Sequence, residues 1–157
     1  MRFETPFGPA WASVDRSGAM TEFCFGYGDG EGQDAEAARQ VREFFAGKRR
    51  AFDFPLAPEG TPFQKRVWAE LVKIPFGETI SYGELARRVG NPAASRAVGA
   101  ANGQNPIAVI VPCHRVIGSN GKLTGYGGGL PLKEKLLAWE RRIAGTAPSL
   151  FGQVGFE

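Results

Sequence analysis

Short apolar runs broken by turn signals open the chain, and from about residue 60 onward apolar residues recur mainly at helical spacing. Gly8-Pro9 and Asp15-Arg16-Ser17-Gly18 separate short β-type runs, the third being the aromatic-rich stretch Met20 to Phe25. An antiparallel meander is expected there. Asp34 can cap a helix with Ala38, Val41, Phe44 and Phe45 on one face and Gly47 at its end. Two prolines and a glycine between Phe52 and Gly60 discourage regular structure. That stretch is the expected boundary between an N-terminal unit, residues 1–58, and a C-terminal unit, residues 59–145, with an irregular tail at 146–157.

The C-terminal unit reads as helices. Thr61-Pro62-Phe63-Gln64 combines a capping box with proline at the first helical position, and Phe63, Val67, Trp68 and Leu71 form the apolar stripe. Pro75-Phe76-Gly77 stops it. Ser81-Tyr82-Gly83-Glu84 is a second capping box, opening a short helix that Gly90 ends. Asn91-Pro92 is expected to start a third helix, about Pro92 to Ala101. Two short helices joined by a tight Gly-Asn turn match the helix-turn-helix pattern. The apolar run Ile107 to Val111 predicts a strand leading into Pro112-Cys113-His114-Arg115, followed by a glycine-rich loop, Gly125 to Gly129. A last helix from Leu132 to about Ile143 turns Leu132, Leu136, Trp139 and Ile143 inward.

Composition narrows the class. The chain has 157 residues, 43% of them hydrophobic and twelve of them Phe, enough to fill a core. The longest apolar run is far too short to span a bilayer. Met1 to Pro6 lacks the apolar stretch of a secretory signal, so a cytoplasmic location is expected, with Cys24 and Cys113 as reduced thiols. A net charge of +3 permits a nucleic-acid partner. Lys48-Arg49-Arg50 reads as a solvated loop. With two cysteines and one histidine, the last adjacent to Cys113, a four-ligand zinc site would need carboxylates. No metal is expected.

His114 is the single histidine, and it stands beside Cys113. A thiol is a useful nucleophile only as thiolate, so a base must take its proton. Neighbours on an extended strand point to opposite sides. A bridging water, or a turn beginning at Pro112, is therefore needed to bring His114 into play. Glu140, at the edge of the last helix's apolar stripe, is the candidate that fixes the imidazole's tautomer. The alternative is a core cysteine and a surface glutamate. The helix around Arg96 carries Ala94, Ser95, Ala97 and further small residues. It lacks the Asn, Gln, Arg and Lys side chains that read bases in the major groove. Small residues allow close backbone approach in the narrower groove, and a lone long cation can enter the base stack. Tyr82, at the start of the preceding helix, can offer a phenol to a cleft. Cys24, between Phe23 and Phe25, reads as core.

Taken together, these segments resemble the O6-alkylguanine-DNA alkyltransferases of the short bacterial type. The resemblance rests on Pro75-Phe76-Gly77-Glu78-Thr79 with Ser81-Tyr82-Gly83-Glu84, on Ser95-Arg96-Ala97-Val98-Gly99, on Asn105-Pro106, on Val111-Pro112-Cys113-His114-Arg115-Val116, and on Gly125-Tyr126 through Gly129. It implies an α/β (α+β) fold with a ribonuclease H-like N-terminal lobe and a winged-helix-like DNA-binding lobe. It implies irreversible, single-turnover transfer of an alkyl group from O6-alkylguanine, and from O4-alkylthymine, of a flipped-out nucleotide to Cys113, without a cofactor. His114, through water, and Glu140 would generate the thiolate. Asn105 would brace the turn before the active-site strand, and Lys133 would bond near the Cys113 backbone. Tyr82 would donate to the departing base. Backbone groups of Cys113 and Val116, with the Ser119 and Tyr126 regions, would hold the guanine. Arg96 would fill the gap in the duplex, with Ala94, Ser95, Ala97 and Arg115 also at the DNA. The implied partner is double-stranded DNA bound through its minor groove without sequence preference, with no membrane and no obligate protein partner. A non-catalytic protein that binds alkylated DNA is the alternative.

Overall fold

The computed structural model describes residues 1–121, Tyr126 and residues 129–146. Strands β1 (Arg2–Thr5), β2 (Gly8–Val14) and β3 (Met20–Phe25) form an antiparallel meander in the order β1-β2-β3. Trp11 pairs with both Arg2 and Cys24. Asp15 closes the second turn by accepting from the backbone amides of Ser17 and Ala19. Helix α1 (Ala35–Phe45) follows, capped by the Asp34 carboxylate, which accepts from the Ala37 amide at 2.9 Å. Its buried face, Ala37, Ala38, Val41, Phe44 and Phe45, lies in the same apolar core as the inner face of the meander.

Helix α2 (Pro62–Leu71) starts from the expected capping box, with the Thr61 hydroxyl and Gln64 side chain satisfying each other's backbone amides. Strand β4 (Ile80–Ser81) leads into α3 (Tyr82–Arg88). There Ser81 caps the Glu84 amide, while the Glu84 carboxylate turns to Arg87 and Arg88. Helix α4 (Ser95–Gly103) begins three residues later than the sequence pattern suggested. Pro92 and Ala93 form a turn closed by the Ala94 amide on the Asn91 carbonyl, so Ala94 rather than Asn91 is the cap. The Trp68 indole donates to the Ala101 carbonyl at 2.8 Å and locks α2 to α4.

The run Ile107 to Val111 is not a strand. The Ile110 amide bonds the Ala108 carbonyl across Val109, whose φ is +67°, and the Cys113 amide bonds the Val111 carbonyl across Pro112. Both are three-residue γ-turns, and the one at Val109 is the strained hand, worth about 1–3 kcal/mol for a β-branched residue. The run meets the sheet at its start, where Ile107 forms an isolated bridge to Phe23 and the Ala108 amide donates to the Phe23 carbonyl. A single 3₁₀ turn, Cys113–Arg115, then feeds β5 (Val116–Ile117), which pairs in parallel with β4. Helix α5 (Leu130–Thr146) closes the fold. Trp139 on α5 meets Phe44 at 5.4 Å, Phe7 at 5.7 Å and Phe76 at 5.9 Å between ring centroids. These contacts bind the first fifty residues to the helix that carries Glu140. Among the described residues no helix is long and apolar enough to cross a membrane.

Candidate active site

Asn105 shapes the loop that presents the thiol. Its side-chain nitrogen donates to the carbonyls of Val111 (2.7 Å) and Ile107 (3.3 Å), and its oxygen accepts from the Ile107 amide (3.0 Å). One side chain thus supplies the bonds that a sheet ladder would otherwise give. This explains how a run of five apolar residues folds back on itself. The turn beginning at Pro112, closed by the Arg115 amide on the Pro112 carbonyl, ends the alternation of an extended chain. It places Cys113, His114 and Arg115 on successive corners of one buried turn.

His114 is fully buried, and its Nε2 lies 2.7 Å from Glu140 Oε2. Burial alone would raise the Glu140 carboxyl, but bonds from His114 and Arg115 bring it down to about 2, so it is ionised. An ionised carboxylate only accepts, so Nε2 carries the proton and Nδ1 presents its lone pair. Nδ1 is buried and bonds no protein atom among the described residues. The imidazole is therefore a neutral base with one end held and the other open. Burial pushes its pKa down, against the pull of Glu140.

Arg115 is a correction to the sequence reading, which placed it at the DNA. It is 5% exposed, grips Glu140 with Nε and Nη2 at 2.9 and 2.8 Å, and donates from Nη1 to the Ile74 carbonyl. Its guanidinium lies over the Phe76 ring. It is the counter-ion that keeps Glu140 charged in the core.

Cys113 is 6% exposed. Burial pushes its thiol pKa up, while the Asn105 amide and the Lys133 ammonium oppose that shift. Lys133 is itself buried, stands 5.8 Å from the centre of the Tyr82 ring, and has its pKa lowered by burial. Pairing of β4 with β5 sets Ile80 opposite Val116, which ties the start of α3 and Tyr82 to the active-site turn. The Tyr82 ring in turn packs against Gly99 of α4, where an added methyl would touch it at 3.8 Å.

A cavity of about 240 Å³ opens onto the thiol, lined by Cys113, Asn105, Ala108, Tyr126 and, from β3, Phe23 to Phe25. Cys24 is thus half-buried at the cavity wall rather than in the core. The Tyr126 hydroxyl is buried and has no bond partner among the described residues, and burial pushes its pKa up. Ser95, Arg96 and Ala97 are exposed on α4 and Ala94 half so, away from the buried turn, while Val98 and Ala101 face the core. Ser119 lies in an exposed turn after β5. Of the glycine-rich loop, residues 125, 127 and 128 fall outside the described residues. Sequence reasoning missed Asn102, 3% exposed, whose amide donates to the Cys113 carbonyl at 3.3 Å. Its only signal was a polar residue at an inward position of α4. Among the described residues no group of three or more His, Cys, Asp or Glu side chains could hold a metal.

The pKa directions fix how stability responds to acid. His114 is held below its ordinary 6.5 and Glu140 near 2 against an ordinary 4.5. Below those ordinary values the unfolded chain binds protons that the folded chain refuses, so stability falls with pH. The His114 contribution is expected to fade as pH drops below about 6.5, and that of Glu140 between about 4.5 and 2. Urea unfolding at a series of pH values checks this; stability that rises on acidification through this range contradicts it.

The geometry defines a cysteine-dependent protein whose thiol sits behind a helix pair with an exposed small-residue face. Residues 62–142 match the family described as 6-O-methylguanine DNA methyltransferase, DNA binding domain. The methylated-DNA--protein-cysteine methyltransferase of Methanosarcina acetivorans is 53% identical, over 88% of this chain and 95% of that one. The namesake from Mycolicibacterium paratuberculosis is 57% identical over 74% of this chain and 71% of its own. Among solved structures, Mycobacterium tuberculosis OGT in complex with DNA superposes with a TM-score of 0.81 at 44% identity, covering 90% of this chain and 92% of that one. An O6-methylguanine DNA methyltransferase from Methanococcus jannaschii gives 0.65 at 25% identity, over 100% and 97%. The chain belongs to the methylated-DNA--protein-cysteine methyltransferase family, a family of DNA-binding repair proteins.

Proposed function

We propose that Cys113 takes the alkyl group from O6-alkylguanine, and from the similar ether of O4-alkylthymine, in double-stranded DNA and keeps it. The observation that carries this reading is the His114 imidazole, fixed by Glu140 with Nδ1 open beside the Cys113 turn. Nδ1 takes the thiol proton through a water molecule. The thiolate attacks the alkyl carbon, a carbon–sulfur bond forms, and the carbon–oxygen bond breaks with its electron pair passing to the purine. Tyr82 donates to the ring nitrogen as that charge develops, and the proton held by His114 returns to the base. The Lys133 ammonium, near Cys113, favours the anionic sulfur during the step. No cofactor enters this balance, and nothing in it cleaves the thioether, so each molecule reacts once.

A duplex base hides its substituent, so the nucleotide must rotate out at a cost of a few kcal/mol. The exposed Ser95, Arg96 and Ala97 suit a helix lying in the minor groove, with Arg96 entering the vacated stack. A direct thiol–imidazole pair, which a cysteine hydrolase needs, is not made among the described residues. A non-catalytic binder has no use for an imidazole base held in the core. Arg96→Ala is expected to slow transfer from methylated duplex DNA by about tenfold to a hundredfold, far more than transfer from a free alkylated guanine base. Single-turnover rates on the two substrates measure the split. Equal losses on both would remove Arg96 from base extrusion.

A further inference from the structure

We propose that Val109 is a positioning residue for the transfer step: its left-handed turn, closed around a buried β-branched side chain, fixes the loop that presents the Cys113 thiol. The inference rests on the reading above and adds to it a residue that does not line the thiol cavity.

Val109 is the single non-glycine residue with a positive φ among the described residues, at +67°. A β-branched side chain is strained there, and such strain collects where a site must be held in one shape. Burial explains why the residue is apolar, since it is 1% exposed within the core, but not why the backbone bends this way. The bonds around it give the reason. The Ile110 amide closes on the Ala108 carbonyl at 2.7 Å, and the Val111 amide on the Ile107 carbonyl at 3.0 Å. Asn105 grips the same stretch at both ends, at Ile107 and at Val111. The Val111 carbonyl accepts from the Asn105 side chain at 2.7 Å and from the Cys113 amide at 2.8 Å. A change in the Val109 dihedrals therefore displaces the carbonyl from which the reacting residue hangs.

The loop is a wall between two cavities. Ala108 and Cys113 line the one of about 240 Å³ that opens onto the thiol. Val109, Ile110 and Pro112 line a second of about 270 Å³, together with Phe54, Ile74 and Phe76. Space on both sides gives the loop less packing than a solid core would. Its own bonds and the narrow backbone range of a β-branched residue must then hold it. Glycine at position 109 would still allow the turn but would open the neighbouring conformations. The thiol would then be aimed correctly for only part of the time, and a misplacement of about 1 Å is enough to slow a reaction about a hundredfold.

The test compares Val109→Gly with Val109→Thr in single-turnover transfer from methylated duplex DNA, beside urea unfolding of each variant. Threonine keeps the branched shape but buries a hydroxyl. It is expected to lower the urea midpoint yet hold the rate at saturating DNA within about twofold of wild type. Glycine also lowers the midpoint, through the lost side chain. It is expected to cut that rate by about tenfold to a hundredfold while the half-saturating DNA concentration stays the same. Rates that simply follow the urea midpoints in both variants would overturn the inference, because that is the signature of a packing role. So would a glycine defect confined to the half-saturating concentration. If glycine prevents folding, Val109→Ala carries the comparison with an expected loss of about fivefold, since its methyl still restricts φ while the branch is gone. A wild-type protein that takes up no methyl group sinks the proposed function, and this inference with it.

Discussion

Cys113→Ser is expected to abolish alkyl transfer, by at least about a thousandfold, with little loss of stability. The hydroxyl is nearly the same size in a site that is 6% exposed, so packing is preserved. What changes is acidity. Burial already pushes the thiol pKa up, while Asn105, Lys133 and the Cys113 backbone lean the other way. A neutral imidazole whose own pKa is lowered can relay a proton from a thiol, but an aliphatic hydroxyl is several orders of magnitude less acidic. Incubation with methyl-labelled duplex DNA, with a thermal melt alongside, checks both halves. Label retained by the serine variant, at Cys24 or elsewhere, would remove Cys113 from the reaction.

Glu140→Gln is expected to damage both folding and chemistry. The carboxylate accepts from Arg115 twice, from His114 and from the Gly77 amide at 3.1 Å, and it is fully buried. Neutralising it leaves the 5%-exposed Arg115 guanidinium without a counter-charge, which costs about 3–5 kcal/mol in such settings. The amide can also turn its NH₂ toward Nε2, which no longer fixes the proton there. The Nδ1 lone pair is then lost to the other tautomer, and the transfer rate is expected to fall by about a hundredfold to ten-thousandfold. Urea unfolding and single-turnover kinetics separate the two effects. A variant that loses stability yet keeps its rate would show that Glu140 only balances Arg115.

How far the sequence carries the account depends on the range of the interactions. Caps and turns are local, so the Thr61–Gln64 box, the Asp34 cap and the Asp15 turn were legible from neighbouring residues. The meander followed from its turn signals and the aromatic run at Met20–Phe25. The single histidine beside a cysteine made Cys113 and His114 conspicuous. The Ile107–Val111 run misled, because an apolar segment reads as a buried strand unless a side chain two residues upstream is known to take over its backbone bonds, as Asn105 does. Arg115 misled for a related reason: its partner lies 25 residues away on another helix, and an isolated arginine reads as surface. Asn102 went unnoticed because its side chain bonds a carbonyl eleven residues away, which periodicity does not report. Cys24, flanked by the buried Phe23 and the partly buried Phe25, sits where β3 meets the cavity, a contact set by the bonds from the Phe23 backbone to Pro106 and Ala108.

Intact-mass and peptide-mass measurement after reaction with excess methylated duplex tests the central claim most directly. The expected result is one added methylene per molecule, confined to the peptide bearing Cys113, with repair ending when the protein is consumed. Repair that continues past one equivalent, or a methyl group found on another residue, would contradict it.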